Sequence, residues 1–220
     1  AAQDEYALRT LLRAREANES GAFDDEIVAV PVASKEGSQR VARDEHPFAV
    51  APEKIARLKP AFRADGTITA ASASANADGA AALVLMRRSV ALAHGLKPLA
   101  EIRAHATHSQ EPAWYTTAPA PAIRKLLARA EWDVRDVDLF EVNEAFAVVA
   151  MAAAHDLQIG EDRLNVNGGA CALGHPIGAT GARLIVTLLH ALRRRGKRKG
   201  VAALCIGGGE ATAVAIEVTD

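Results

Sequence analysis

The chain has 220 residues, half of them hydrophobic and few aromatic, which is enough for one sizeable domain or two small ones. Its 26 basic and 27 acidic residues leave a net charge of -1, which argues against a nucleic-acid partner. No apolar run approaches the ~20 residues of a membrane helix, so we expect no membrane association. Two cysteines are too few for a disulfide framework and favour a reduced, cytoplasmic location.

The first third of the chain is irregular after an opening helix. An apolar stripe predicts a helix over residues 3–18, followed by a short strand at 27–32. The polar stretch 34–52 is predicted to be a loop, and residues 52–58 a short helix. Because the helical pattern starts at once and the first residue is not Met, we expect the chain to be a piece of a longer protein.

From residue 79 onward, strands and helices alternate. The predicted strands are residues 81–86, 99–106, 137–142, 163–166, 201–206 and 211–218. The predicted helices are residues 89–95, 120–130, 144–156 and 178–195. From residue 99 the order is β-α-β-α-β-α-β-β, which predicts a mostly parallel sheet covered by helices, with an antiparallel strand at the end. In such sheets the loops at strand ends collect the functional groups.

The first of these loops carries Asn143, in the sequence Asn-Glu-Ala-Phe. It lies where a buried strand stops and a helix begins. An asparagine at that place is often simply a helix cap. Its amide could instead hold a water molecule against a substrate oxygen, and the residues alone do not decide between the two.

A second loop places one histidine, His175, among five glycines and directly before an amphipathic helix. Glycines let a backbone approach a ligand closely, and a helix start offers free N–H groups. His175 is therefore a candidate general base or hydrogen-bond donor, unless it only supports the turn. Neither a phosphate loop nor a dinucleotide fingerprint is present, and a Cys171/His175 metal pair lacks further ligands, so no metal is expected.

The third segment is Cys205 at the end of an apolar strand, followed by glycines at 207–209. Such a cysteine is often a small buried hydrophobe. Here the glycines expose main-chain N–H groups in a tight turn, which suits an acid/base beside an oxyanion site. A thiol with a reference pKa of about 8.5 needs only a modest shift to exchange protons near neutrality.

Taken together, Asn-Glu-Ala-Phe, Gly-His-Pro and Cys-x-Gly-Gly-Gly, in this order near the end of the chain, resemble the C-terminal part of the thiolase family (acetyl-CoA acetyltransferases and 3-ketoacyl-CoA thiolases). The resemblance implies the thiolase fold, of which this chain would hold the second β-α-β-α-β-α-β-β half. Residues 1–75 would be the end of the coenzyme A-binding loop domain and 76–97 the last strand and helix of the first half. Residues 98–220 would be the C-terminal domain.

The resemblance also implies roles for particular residues. His175 would activate the nucleophile and help bind a thioester oxygen, and Asn143 would hold a water in the same oxyanion hole. Cys205 would move a proton on or off the substrate, and the N–H of Gly207 would belong to a second oxyanion hole. For coenzyme A, Ser74 and Phe146 match positions that contact its pantetheine part, although the segment around Ser74 departs from the usual Asn-Ala-Ser-Gly pattern.

By the same resemblance the chain is an acyl-CoA C-acyltransferase that cleaves 3-ketoacyl-CoA or condenses acyl-CoA. Acyl-CoA and coenzyme A would be its substrates and products, with no tightly bound cofactor, and a homodimer or homotetramer is implied. Family members carry an acylated cysteine in the first half, and neither Cys171 nor Cys205 lies in a matching context. The chain alone is therefore expected to be inactive and to need the N-terminal half. The alternative is a non-catalytic thiolase-like protein that binds acyl-CoA or lipid.

Overall fold

The computed structural model describes residues 2–35 and 37–219. Its helices are α1 (Ala2–Glu19), α2 (His46–Ala49), α3 (Arg88–Ala93), α4 (Pro119–Ala130), α5 (Ala147–Leu157), α6 (Ala170–Leu173) and α7 (Thr180–Arg194). Its strands are β1 (Val30–Ser34), β2 (Gly37–Val41), β3 (Ala100–Ser109), β4 (Leu139–Val142), β5 (Lys199–Ile206) and β6 (Glu210–Val218). Within the described ranges, none of the helices has the length and apolar character needed to cross a membrane.

The main sheet has four strands in the order β3-β6-β5-β4. β4 and β5 are parallel, whereas β6 is antiparallel to both of its neighbours. The mixed α/β architecture is therefore confirmed, but among the described residues only one strand pair of this sheet is parallel, in contrast to the mostly parallel sheet that was predicted. The reason is that β6 turns back on β5 through residues 207–209 and then lies between β5 and β3.

Helices cover both faces of this sheet. Because alternate residues of a strand point to opposite faces, Phe140 and Val142 pack with α4 and α5, whereas Leu139 packs with α7. The apolar stripe of α7 buries Leu184, Leu188 and Leu192 against the second face. The buried strand ends are thereby held between two helical layers, which fixes the position of the loops that follow them.

The opening helix α1 packs near these loops. It buries Tyr6 and Leu11 along with Ala7, Ala14 and Ala17, and it lies against α6 and the 3₁₀ turn Pro52–Arg57. The predicted helix over residues 3–18 is confirmed. Its inward face also carries Thr10, a buried polar residue, toward the core.

Several sequence predictions differ from the structure. The predicted loop 34–52 contains β2 and α2, and β2 forms a hairpin with β1, which begins three residues later than predicted. The predicted strand 163–166 makes only a single parallel bridge, between Leu164 and Phe140. The predicted strand 81–86 is not formed, because no described strand pairs with it, and the side chain of Val84 is 89% exposed.

Candidate active site

Asn143 lies at the carboxyl end of β4, where its main-chain N–H donates to the carbonyl oxygen of Ala203 at 2.9 Å. Its side chain is buried, and neither the amide nitrogen nor the amide oxygen has a hydrogen-bond partner among the described residues. The next helix, α5, begins four residues later at Ala147 and has no side-chain cap, so a helix-cap role for Asn143 is wrong. An unpaired buried amide costs about 1–3 kcal/mol, which makes this group suited to hold a water or a substrate atom.

His175 lies in the loop between α6 and α7 and is half-buried. Its main-chain N–H donates to the carbonyl oxygen of Ala75 at 2.9 Å, and its Nδ1 lies 2.7 Å from Oγ1 of Thr180. Burial, and secondarily the guanidinium of Arg183, lowers the pKa of the imidazole below its usual 6.5. The ring is therefore neutral at pH 7 and able to accept a proton.

Cys205 lies near the end of β5, paired in register with Ala211 of β6, and its side chain is buried. Burial raises the pKa of its thiol to about 11. This is opposite to the modest lowering that the sequence interpretation required. At neutral pH the resting thiol is therefore protonated.

The glycine turn after Cys205 is open on one side and packed on the other. A Cβ added at Gly207 would meet no atom within 4 Å, so there is free space beside its main chain. Gly209 has a φ of 92° and approaches the carbonyl oxygen of Gln110 too closely for any side chain. The segment after Gln110 continues to Tyr115, whose pKa is raised by burial and by the nearby Cys205.

Residues 72–75 connect these loops. The main-chain N–H of Ser74 donates to the carbonyl oxygen of Ala145 at 3.1 Å, and Ala73 forms an antiparallel bridge with Phe146. The carbonyl oxygen of the next residue, Ala75, accepts the hydrogen bond from the main-chain N–H of His175. Ser74 and Phe146 are therefore brought together, and one short segment links the loop of Asn143 to the loop of His175.

A buried polar network that the sequence did not reveal lies beside Asn143. The carboxylate of Glu144 is inaccessible to solvent and accepts hydrogen bonds from Tyr6 at 2.8 Å, from Thr10 at 3.0 Å and from Asn165 at 3.0 Å. It also accepts one from the main-chain N–H of Cys171 at 3.1 Å. Two of these donors come from α1, more than 130 positions away, so local patterns carried no signal for them.

Cys171 packs against the loop of Glu144. Its thiol donates to the main-chain carbonyl of Glu144 at 3.7 Å, and burial raises its pKa well above the usual value. Across residues 2–35 and 37–219 there is no group of three or more His, Cys, Asp or Glu side chains that could hold a metal ion. Two cavities of about 240 and 260 Å³ lie at the opposite end of α7, around Arg194, and away from these residues.

The family was established by comparison with known proteins. The family model described as "Thiolase, C-terminal domain" matches residues 96–218, which is more than half of the chain. The chain belongs to the thiolase family. The model described as "Thiolase, N-terminal domain" matches residues 1–89, so this thiolase chain includes sequence from both domains. The finer division at residues 75 and 97 stays a prediction.

Individual thiolases are similar along almost the whole chain. A probable acetyl-CoA acetyltransferase of Dictyostelium discoideum is 50% identical over 216 residues, which is 98% of this chain and 52% of the relative. The cytosolic acetyl-CoA acetyltransferase of Rattus norvegicus is 47% identical over 219 residues, 98% of this chain and 55% of the relative. The thiolase chain thus spans about half the length of the curated relatives it matches.

Solved thiolase structures have the same fold. The acetyl-CoA acetyltransferase of Bacillus anthracis superposes with a TM-score of 0.95 at 47% identity, covering 99% of this chain and 55% of that one. Human mitochondrial 3-ketoacyl-CoA thiolase in complex with CoA gives a TM-score of 0.90 at 38% identity, covering 99% and 54%. The thiolase fold that the sequence resemblance implied is confirmed.

Proposed function

We propose that this thiolase chain contributes the acid/base and oxyanion half of an acyl-CoA C-acyltransferase. The observation that carries the proposal is the side-chain amide of Asn143, which is buried with neither its donor nor its acceptor satisfied by protein. A purely structural asparagine at this depth would be hydrogen-bonded. An unpaired amide at a strand end fits a site that is completed by substrate or by an ordered water.

The proposed roles follow the chemistry of a carbanion beside a thioester. The neutral imidazole of His175 takes the proton of the nucleophile and then donates to a thioester oxygen, with Asn143 holding a water at the same oxygen. Cys205 moves a proton to or from the substrate α-carbon. The N–H of Gly207 stabilises the second oxyanion. In condensation, the resulting enolate attacks an acyl-thioester carbon and expels a thiolate, and thiolytic cleavage is the reverse.

The nucleophile must come from outside these residues. Burial raises the pKa of both Cys171 and Cys205, so neither is a resting thiolate, and the thiol of Cys171 is already bonded to a main-chain carbonyl. We therefore propose that the first half of the relatives, in the same or a separate polypeptide, supplies the acylated cysteine. The chain by itself is then inactive. The exposed side chains of Val84 and Leu85 support this, since they suit a strand whose sheet belongs to that half.

Coenzyme A is proposed as substrate and product, with no tightly bound cofactor. Ser74 and Phe146 are the proposed contacts to its pantetheine arm. The CoA complex of the human relative supports coenzyme A as a ligand at the level of the family. The adjacency of these residues supports a shared contact surface. A cytoplasmic location and assembly into a homodimer or homotetramer also stay proposals, the first supported by the cytosolic rat relative.

The test is the cleavage of acetoacetyl-CoA by coenzyme A, together with an intact-mass measurement of the purified protein. We expect activity only in an assembly that includes a first half, seen as a species of about twice this length or as a second chain. In that assembly Cys205→Ser and Asn143→Ala should each lower kcat by roughly 10²-fold or more.

Cys171→Ala is the matched control, because it removes the other buried thiol and should keep most of the activity. Full activity in both Cys205→Ser and Asn143→Ala would overturn the proposed roles. Full activity of the lone chain would overturn the need for a first half.

A further inference from the structure

The hydroxyl of Thr180 stands between His175 and a main-chain carbonyl. Its Oγ1 lies 2.7 Å from Nδ1 of His175 and 2.9 Å from the carbonyl oxygen of Pro176. Thr180 is fully buried at the first turn of α7, and its main-chain N–H also donates to Pro176 at 2.9 Å. Side chain and main chain are thus both held in place.

These distances determine which atom donates. A hydroxyl has a single proton, and a carbonyl oxygen can only accept. If the hydroxyl donated to Nδ1, its oxygen would face the oxygen of Pro176 at 2.9 Å with no proton between them, which is repulsive. The proton therefore lies toward Pro176, and the hydroxyl oxygen accepts from Nδ1–H of His175.

From this geometry we propose that Thr180 is a positioning residue that holds His175 in the Nδ1–H tautomer and leaves Nε2 unprotonated. In the proposed function, Nε2 takes a proton from the thiol nucleophile to give a thiolate and an imidazolium, and this role of Nε2 rests on that function. The assignment of the tautomer does not depend on the proposed function. In water the neutral imidazole of histidine favours the opposite, Nε2–H, form, so the protein has to impose this arrangement.

Neighbouring contacts keep the bond rigid. A Cβ added at Gly79 would lie within 2.9 Å of the ring of Pro176, and one at Gly174 would collide with Ala77, so residues 77–79 pack directly on the loop. The main-chain N–H of His175 is held by Ala75. Because the backbone of the loop is held at His175 and at Pro176, the hydroxyl of Thr180 determines both the tautomer and the orientation of the imidazole ring.

The test is ¹⁵N NMR of the 220-residue chain labelled at histidine, at a pH where the ring is neutral. His175→Asn identifies the His175 signals among the seven histidines. We expect the wild type to show a protonated Nδ1 and an unprotonated Nε2, which resonates well downfield. Thr180→Val removes the hydroxyl acceptor with little change in shape and should shift the tautomer population of His175 toward Nε2–H. Thr180→Ser keeps the hydroxyl and should show the same tautomer as the wild type.

Thr187→Val is the matched control, because Thr187 is also buried on α7 and its hydroxyl donates to Glu26 instead. It should leave the His175 signals unchanged. A wild-type spectrum with Nε2–H, or an unchanged tautomer in Thr180→Val, would overturn the proposal. The wild-type spectrum alone decides the question if the valine variant does not fold.

A titration of the same samples with coenzyme A separates this proposal from the proposed function. Nδ1–H in the wild type supports the tautomer assignment whether or not coenzyme A binds. Absence of coenzyme A binding counts only against the proposed function.

Discussion

Asn143 and Glu144 are adjacent residues that differ in how their side chains are hydrogen-bonded. Both are buried, but the amide of Asn143 has no protein partner, whereas the carboxylate of Glu144 accepts from four groups. A carboxyl group at this depth is tolerated only when its oxygens are hydrogen-bonded. We interpret Glu144 as the anchor of the loop, which leaves its neighbour free to face a ligand.

Glu144→Gln should destabilise the chain by about 2–4 kcal/mol. The glutamine NH₂ group would face either the side-chain NH₂ of Asn165 or the main-chain N–H of Cys171, and neither of these nitrogens can accept a hydrogen bond. Urea unfolding measures the loss. Glu53→Gln, at an exposed position, is the control and should change stability by less than about 0.5 kcal/mol.

At the scale of elements, α7 is the helix on which the site depends most, since it starts at Thr180 and covers one face of the sheet. Its packing on β5 is close: a Cβ added at Gly200 would collide with the side chain of Leu188. Displacement of the helix would therefore move Thr180 relative to His175.

Leu188→Ala should lower the free energy of unfolding by about 2–5 kcal/mol, because Leu188 is fully buried and a cavity would remain. Thermal or urea unfolding gives the value. Leu12→Ala, at a half-exposed position of α1, provides the comparison and should cost much less. Equal losses at the two positions would contradict the packing described for α7.

The sequence predicted the long amphipathic elements best. α1, α4 and α7 begin and end within two residues of their predicted bounds, because each has a clear apolar stripe. The strand predicted at 81–86 is not formed. An apolar run indicates that a strand can form, but a strand also needs a second segment to pair with, and none of the described segments pairs with residues 81–86.

The candidate site was predictable to the extent that its proposed residues lie in local motifs. Asn143, His175 and Cys205 each stand beside a strand end or a glycine loop, which the sequence displays. Thr180 and the donors to Glu144 were missed, because their contacts arise only when distant segments pack together. The resting state of Cys205 was also missed, since burial cannot be deduced from residue type.

Across the whole molecule, one buried carboxyl group, that of Glu141, and one half-buried one, that of Glu26, lie near Arg183. Desolvation raises the pKa of Glu141 to about 8 and that of Glu26 to about 7, and the charge of Arg183 opposes both shifts only in part. Arg183 lies 3.9 Å from Glu141, too far for a hydrogen bond. The charged forms of these carboxyl groups are therefore poorly stabilised in the folded chain.

Stability should fall as the pH rises from about 6.5 to 8.5. Up to about pH 7 the folded state retains protons on both Glu26 and Glu141 that the unfolded state, with carboxyl pKa values near 4.5, has already lost. Between about pH 7 and 8 it retains mainly the proton of Glu141, and the fall levels off above that. The free energy of unfolding falls by at most about 1.4 kcal/mol per pH unit for each group. The lowered pKa of His175 opposes this trend only below about its unfolded value of 6.5. Urea midpoints at pH 6.5, 7.5 and 8.5 measure the effect.

Glu141→Gln should flatten this dependence, because it removes the group with the higher pKa, while Glu53→Gln should leave it unchanged. A midpoint that rises steadily across the same window in the wild type would contradict the assignment of protonated carboxyl groups.

The most direct measurement is a crystal structure of the assembled enzyme with acetyl-CoA bound. We predict that Nε2 of His175 and a water held by Asn143 lie within about 3.2 Å of the thioester oxygen, and that Sγ of Cys205 lies beside the methyl carbon of the acetyl group. A thioester bound elsewhere, with Asn143 still unpaired and Cys205 sealed from the ligand, would contradict it.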